Sequence, residues 1–271
     1  MLGKLIKHEF RATRWNFSIL LAVMIGITLL MKPLFWIRRG IMESDGIQIT
    51  VTEMLVIWAF FMMLSILITA AEVLIVIRYY QSMTCDEAYL TFTLPVTPTQ
   101  IIWSKVMVGG IWYLAVFLIS MVCVVLAFAG TPFMQNVWSV LWSDMSVTIS
   151  TGSIAAWGLE LIPIILSRML FLICVIGIGQ LFGKYRLLGT IGTYFVIQMV
   201  MVIVLFVIEV STGMVVFNYV EINAGEMELL VLNNENLVIW GFVLNMAYAL
   251  ILGSGAFLGA RYIFSKKLNL E

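Results

Sequence analysis

Residues 101–129 read IIWSKVMVGGIWYLAVFLISMVCVVLAFA, and Lys105 is the only charged residue among them. A bilayer core of about 30 Å is crossed by roughly 20 apolar residues as a helix, so this stretch predicts a membrane span. It lacks the alternation of a barrel strand. The whole chain of 271 residues is similar, with 62% hydrophobic residues, 11% charged residues and a mean hydropathy of +1.07. A water-soluble globule cannot bury that much apolar surface, so we expect an all-α integral membrane protein.

Six stretches are long and apolar enough to cross a membrane as helices. They are 16–37, 51–77, 101–129, 159–182, 187–208 and 237–264. Residues 1–15 predict an amphipathic helix that lies flat in the cytosolic headgroup layer and turns into the bilayer near Trp15. Its basic face consists of Lys4, Lys7, Arg11 and Arg14. We expect one transmembrane domain over 1–271, with no internal repeat.

Lysine and arginine predict the orientation. Eleven lie on the side of the membrane that holds the N-terminus, and only Lys32, Arg38 and Arg39 lie on the other side. The positive-inside rule therefore predicts that both termini are cytosolic. The external loop 209–236 holds five glutamates and no basic residue, which the same rule explains; attraction of a cationic substrate is the alternative. Residues 130–153 predict an external loop or re-entrant segment.

Several kinds of chemistry have no residues to support them. His8 is the only histidine, so no Ser-His hydrolase and no histidine-rich metal site is expected in the spans. No aspartate lies within a span, which excludes an intramembrane aspartyl pair. A P-loop would need glycine at Ile178 and Ser or Thr at Tyr185, so we expect no ATPase activity in this chain. The scattered cysteines and zero net charge predict neither a metal site nor nucleic-acid binding.

Charged residues inside the spans are few. Glu72, Glu160 and Arg168 lie at membrane depth, where a lone charge costs at least about 2.5–3.5 kcal/mol, so Arg168 should face a partner or a wet cavity. Glu160 is eight residues away from Arg168, roughly 80° around the helix. A structural ion pair is one interpretation, and a polar translocation path or charge relay is the other. Two glycine pairs predict close helix packing: Gly179 with Gly183, and Gly255 with Gly259.

The cytosolic loop 78–105 carries two helix-start signals. Thr84 and Glu87 form a capping box that predicts a short helix over 84–94, which must end before Pro95. Thr97, followed by Pro98 at the first helical position, predicts the start of the next long helix. The short helix either only orders the loop or is built to bind a partner.

The stretch DEAYLTFTLPVT at 86–97, continued by Gln100, Ile101, Ser104 and Lys105, resembles a motif of a known family. Together with the basic N-terminal helix and six spans, it is similar to the permease subunit of type-2 ATP-binding-cassette (ABC-2) exporters, particularly the small permeases of Gram-positive bacteria. The architecture matches over the whole chain, and the motif matches only in this loop. Ala88 departs from the family, in which many members carry glycine there.

The resemblance implies that 84–94 is a coupling helix that docks on a separate ATPase subunit, and that 1–15 is the elbow helix. The implied contacts are Asp86, Glu87, Tyr89, Leu90, Phe92 and Leu94, with Pro95 fixing the angle. It further implies two ATPase subunits that bind ATP and Mg²⁺, and a second, identical or paralogous permease chain. The substrate would be a hydrophobic or amphipathic peptide, lipid or drug, exported across the cell membrane.

Two other functions stay open from the sequence. The first is a membrane scaffold that uses the same loop to recruit a cytosolic protein without transport. The second is an ion-coupled transporter that uses Glu72, Glu160 and Arg168. Co-purification of an ATPase subunit separates the exporter from the ion-coupled transporter, and ATPase stimulation by substrates separates the exporter from the scaffold.

Overall fold

The structure is a computed structural model that describes residues 2–37, 51–84, 97–129, 151–211, 221–223, 226–228 and 235–266. The described residues form six long helices. They are α1 (Leu2–Ile37), α2 (Val51–Thr84), α3 (Pro98–Phe128), α4 (Thr151–Gln180), α5 (Arg186–Ser211) and α6 (Glu235–Lys266). Each contains a stretch of 22 to 32 residues that is long and apolar enough to cross a membrane. The prediction of an all-α membrane protein with six spans is therefore confirmed.

Helix α1 is continuous, so the prediction that the chain changes direction near Trp15 is wrong. One helix of 36 residues runs from Leu2 to Ile37 and passes through the predicted boundary between 1–15 and 16–37. Residues 10–17 contain no glycine or proline that would break it. Phe10 and Phe17, on either side of the boundary, each stack on the Trp112 ring in α3, with ring centroids 4.9 Å apart in each pair. This shared contact holds both parts on one axis.

Helix α2 is longer than the sequence predicted. It includes residues up to Thr84, beyond the predicted end of the span at residue 77. The additional turns are stabilised by burial, since Tyr79, Ser82 and Met83 are each at most 3% exposed. The rest of the predicted helix 84–94 lies outside the described residues.

The predicted start of α3 is confirmed. Thr97 has the extended backbone of an N-cap residue, with φ −74° and ψ 146°, and Pro98 follows as the first helical residue. The Thr97 carbonyl accepts a hydrogen bond from the Gln100 amide at 2.9 Å. The Thr97 hydroxyl lies 2.9 Å from the Thr99 hydroxyl and makes no capping bond, so the backbone and the proline define this start.

The helices group into two compact units, where the sequence predicted one domain. Unit 1 contains α1, α2 and α3, and unit 2 contains α4, α5 and α6. In unit 1, α1 packs most extensively on α3, and α2 contacts both. In unit 2, α4 is the central helix and packs on both α6 and α5.

Small residues bring α4 close to its neighbours. A Cβ atom added at Gly253 or Gly259 of α6 would lie 3.1 Å from Ser167 or Cys174 of α4, respectively. A Cβ at Gly179 would lie 2.6 Å from the Cα atom of Thr190 in α5. One glycine of each predicted pair, Gly179 and Gly259, therefore lies at a close helix contact.

The other two predicted glycines have different surroundings. Gly183 begins a 3₁₀ turn, Gly183–Tyr185, between α4 and α5 and has a φ of +58°, a conformation that favours glycine. A Cβ at Gly255 would meet no described atom within 4 Å.

Part of the predicted loop 209–236 forms regular secondary structure. Strands β1 (Glu221–Asn223) and β2 (Glu226–Glu228) pair antiparallel, with Glu221 opposite Glu228. The first part of this loop extends α5 as far as Ser211, and Glu235 begins α6. Of the predicted external segment 130–153, only its last three residues are described, and they belong to α4.

Candidate functional site

The three helices of unit 1 meet at an ionic contact near the end of α2 and the start of α3. The Oε1 atom of Glu9 in α1 lies 2.6 Å from the Lys105 ammonium in α3, and its Oε2 atom lies 3.1 Å from Nε of Arg78 in α2. One carboxylate therefore bonds to two cations from two different helices. These three residues, with Tyr79 and Ser82, are called the Glu9 cluster below.

Lys105 is the most deeply buried of the three charged members of the cluster, with a side chain only 1% exposed. Its ammonium also donates a hydrogen bond to the Ser82 hydroxyl at 2.6 Å. The Tyr79 hydroxyl donates to the Lys105 backbone carbonyl at 2.7 Å. A buried charge is tolerated when it is paired and hydrogen-bonded, and these contacts meet that requirement.

A second set of contacts joins α1 to α3 one turn away. The Thr13 hydroxyl donates to the Glu9 carbonyl at 3.0 Å and accepts from the Trp112 indole N–H at 2.9 Å. Glu9, Thr13 and Phe17 recur every four residues, so they lie on one face of α1. That face carries the α1 side of both the ionic contact and the aromatic stack.

The Glu9 cluster has a defined position relative to the predicted coupling loop. Arg78, Tyr79 and Ser82 lie in the last turns of α2, and Lys105 lies in the second turn of α3. These are the helix ends on either side of 85–96. The cluster therefore joins the two helices that flank that segment to α1.

The predicted partner contacts themselves are not described. Asp86, Glu87, Tyr89, Leu90, Phe92, Leu94 and Pro95 lie outside the described residues. The basic residues of the N-terminal helix are described, and all four side chains are exposed. They are Lys4, Lys7, Arg11 and Arg14.

Unit 2 contains a second polar feature, centred on Arg168 of α4. Its Nη1 donates to the Gln198 side-chain oxygen at 2.9 Å, and its Nη2 donates to the Tyr194 hydroxyl at 3.0 Å. The guanidinium carbon also lies 5.7 Å from the ring centre of Phe171 and 5.9 Å from that of Tyr194. Arg168 thus has the partners that its depth in the span requires.

Arg168 and Glu160 line the same cavity, which has a volume of about 320 Å³ and lies among α4, α5 and α6. Glu160 is 5% exposed and accepts a hydrogen bond from the Asn245 side chain of α6. The two charges on α4 therefore have polar partners on different neighbouring helices. Glu72, the third predicted intramembrane charge, is a half-buried residue of α2 in unit 1.

Sequence reasoning missed Glu9 and the partners of the intramembrane charges. Glu9 is the only acidic residue before Glu43 and lies within a basic segment, and this isolated negative charge was the sequence signal that could have identified it. Tyr194 and Gln198 are four residues apart in an apolar span, a spacing that predicts a shared helix face. Spacing alone did not predict which helix would pack against that face.

The six long apolar helices make the chain a multi-pass membrane protein. No family model, no curated protein and no solved structure matches the chain.

Proposed function

We propose that this chain is the membrane-spanning permease subunit of an ABC-2-type exporter. It moves a hydrophobic or amphipathic substrate out of the cell, using ATP that a separate nucleotide-binding subunit hydrolyses with Mg²⁺. Two permease chains and two ATPase subunits form the transporter. The chain lies in the cell membrane with both termini in the cytosol.

The Glu9 cluster is the observation that carries this proposal. A permease without a P-loop receives energy only through mechanical contact with its ATPase, and a rigid attachment transmits a displacement better than a flexible one. Segment 85–96 lies between the buried residues Ser82 and Met83 of α2 and the buried residues Ile101 and Ile102 of α3, and Glu9 joins both helices to α1. A force applied to this segment would therefore act on three helices together.

The distribution of charge supports a partner at the same segment. Arg78 and Lys105, the cations that border the segment, both bond to Glu9. Between them, residues 79–104 contain Asp86 and Glu87 and no lysine or arginine. The segment therefore offers negative charge, which is complementary to a basic groove on a partner protein.

Co-purification and ATPase coupling test this function. Tagged full-length chain, isolated from native membranes, is expected to retain an ATPase subunit whose activity rises with transported substrate. Glu87→Lys and Phe92→Asp should each lower that stimulation about tenfold or more while the protein still inserts, since they alter the proposed contact. Glu43→Lys, a matched charge reversal in the predicted external loop, should leave it unchanged.

Three outcomes would count against the exporter. Isolation without any ATPase subunit contradicts the proposal directly. Normal export by both loop variants removes the coupling role of 85–96. Transport by the purified chain alone in vesicles, driven by an ion gradient, would favour the ion-coupled transporter that Glu72, Glu160 and Arg168 suggest.

A further inference from the structure

The cavity of unit 2 combines two charges of opposite sign with an apolar wall. Glu160, Ser167 and Arg168 line it from α4, and Asn245 and Tyr248 line it from α6. Apolar side chains of α5 and α6 complete the wall, among them Met201, Leu205 and Leu252. Its volume of about 320 Å³ is at the lower end of the range of about 300–1,000 Å³ typical of ligand sites.

The charges are held in place by neutral groups. Gln198 and Tyr194 bond to the two terminal nitrogens of Arg168, so the plane of its guanidinium is fixed. Asn245 of α6 hydrogen-bonds to the Glu160 carboxylate. A fixed guanidinium is suited to phosphate, and a buried carboxylate is suited to an ammonium group.

The two charges lie at different levels of the cavity. Glu160 and Arg168 are eight residues apart on α4, a rise of about 12 Å between their Cα atoms. Their formal charges cancel. A purely anionic ligand would meet the Glu160 carboxylate, and a purely cationic ligand would meet the Arg168 guanidinium, so the site favours a ligand that carries both charges.

The cavity is also open to the surface of the protein. Val202 of α5 lines the cavity and is 54% exposed, so it lies at the rim. Because α5 is long and apolar enough to span a membrane, an opening at this rim would admit molecules from the lipid phase. The apolar part of such a molecule can lie against Met201, Leu205 and Leu252.

We propose that this cavity binds a zwitterionic amphiphile, with an ammonium group near Glu160, a phosphate group near Arg168 and an apolar tail at the Val202 rim. The proposal concerns binding by this chain alone and does not depend on coupling to an ATPase.

Lipid binding to the purified full-length chain in detergent micelles tests it, measured by native mass spectrometry. Phosphatidylethanolamine has both charges, phosphatidylglycerol has only the phosphate, and diacylglycerol has neither. We expect phosphatidylethanolamine to bind about tenfold or more tightly than either of the others, since a charged hydrogen bond accounts for at least a factor of that size. Equal binding of all three lipids would overturn the proposal.

Single-charge variants assign the binding to the cavity. Arg168→Gln should weaken binding of both phospholipids about tenfold or more, and Glu160→Gln should remove the preference for phosphatidylethanolamine over phosphatidylglycerol. Arg261→Gln is the matched control, because Arg261 is an exposed residue of α6 that does not line the cavity, and it should bind like the wild type. Unchanged binding in the cavity variants, or an equal loss in the control, would overturn the proposal.

A third variant separates loss of binding from loss of folding. Val202→Trp keeps both charges and places a large side chain at the rim, where partial exposure leaves room for it. It should remain monodisperse and lose phosphatidylethanolamine binding. Retained binding would contradict the assigned entry point.

Soluble glycerophosphoethanolamine distinguishes the possible sources of the ligand. It should not compete at concentrations at which the lipid does, because it lacks the apolar tail. Equal competition would overturn the requirement for an amphiphile and identify the ligand as a free zwitterion.

Discussion

Replacing Glu9 by glutamine gives the sharpest test of the Glu9 cluster. The change preserves the shape of the side chain and removes the only charge that bonds to both Lys105 and Arg78 in the described contacts. Lys105 would then keep its hydrogen bond to Ser82 but lose its carboxylate partner, while its side chain is 1% exposed. The buried ammonium would lose the carboxylate that lies 2.6 Å from it.

The expected cost follows from this burial. Breaking a buried ion pair by removing one partner costs about 3–5 kcal/mol. Glu9 and Arg78 retain 13% and 18% side-chain exposure, which screens part of the interaction, so we expect a value near the lower end, about 3 kcal/mol. Lys105→Met should cost less, about 1–2 kcal/mol, because Glu9 keeps Arg78 and the methionine fills the space.

The double variant distinguishes this reasoning from a general loss of packing. With both Glu9→Gln and Lys105→Met, the buried ammonium is removed together with its carboxylate partner, so the total loss should be at least about 2 kcal/mol smaller than the sum of the single losses. The free energy of unfolding is measured by SDS titration in mixed micelles. Lys7→Gln is the control, because Lys7 is exposed on the same helix and should change the value by less than about 0.5 kcal/mol.

Additive losses in this cycle would refute the coupling. If the double variant loses the sum of the two single losses within about 0.5 kcal/mol, Glu9 and Lys105 do not interact energetically. A loss in Lys7→Gln as large as that in Glu9→Gln would show that α1 responds to any change of charge.

Two further predictions concern packing, and both use the same unfolding measurement. Gly179→Ala should destabilise the protein by about 1–3 kcal/mol, because its Cβ would lie 2.6 Å from the Thr190 backbone. Gly192→Ala is the control and should not destabilise the protein, because its Cβ would meet open space. Equal effects of the two substitutions would contradict the close contact at Gly179. Trp112→Phe keeps an aromatic ring in the stack and removes the hydrogen bond to Thr13, so a loss of about 1 kcal/mol is expected, and no loss would show that the bond is not stabilising.

Local features of the sequence predicted what depends on local physics. Long apolar runs predicted six spanning helices, because a backbone in lipid must satisfy its hydrogen bonds within the helix. Thr97 and Pro98 predicted the start of α3, since proline needs no amide partner there and its φ suits the first turn. The depth of Arg168 in its span predicted that it has polar partners.

The errors occurred where contacts distant in sequence decided the outcome. The second span was predicted to end near residue 77, but burial of Tyr79, Ser82 and Met83 extends α2 to Thr84. The basic face of residues 1–15 predicted a separate surface helix, yet Trp112 packs against both Phe10 and Phe17 and joins the two parts. In both cases, tertiary packing outweighed a local preference.

By itself, the sequence determined the class of protein and the number of spans, because hydropathy and helix length are properties of short stretches of chain. Only the tertiary structure decided which charges meet. Glu9 is 69 residues from Arg78 and 96 from Lys105, and neither spacing nor composition indicates that one carboxylate bonds to both. The same holds for Arg168, because helix periodicity assigns a side chain to a face but does not specify which neighbouring helix that face contacts.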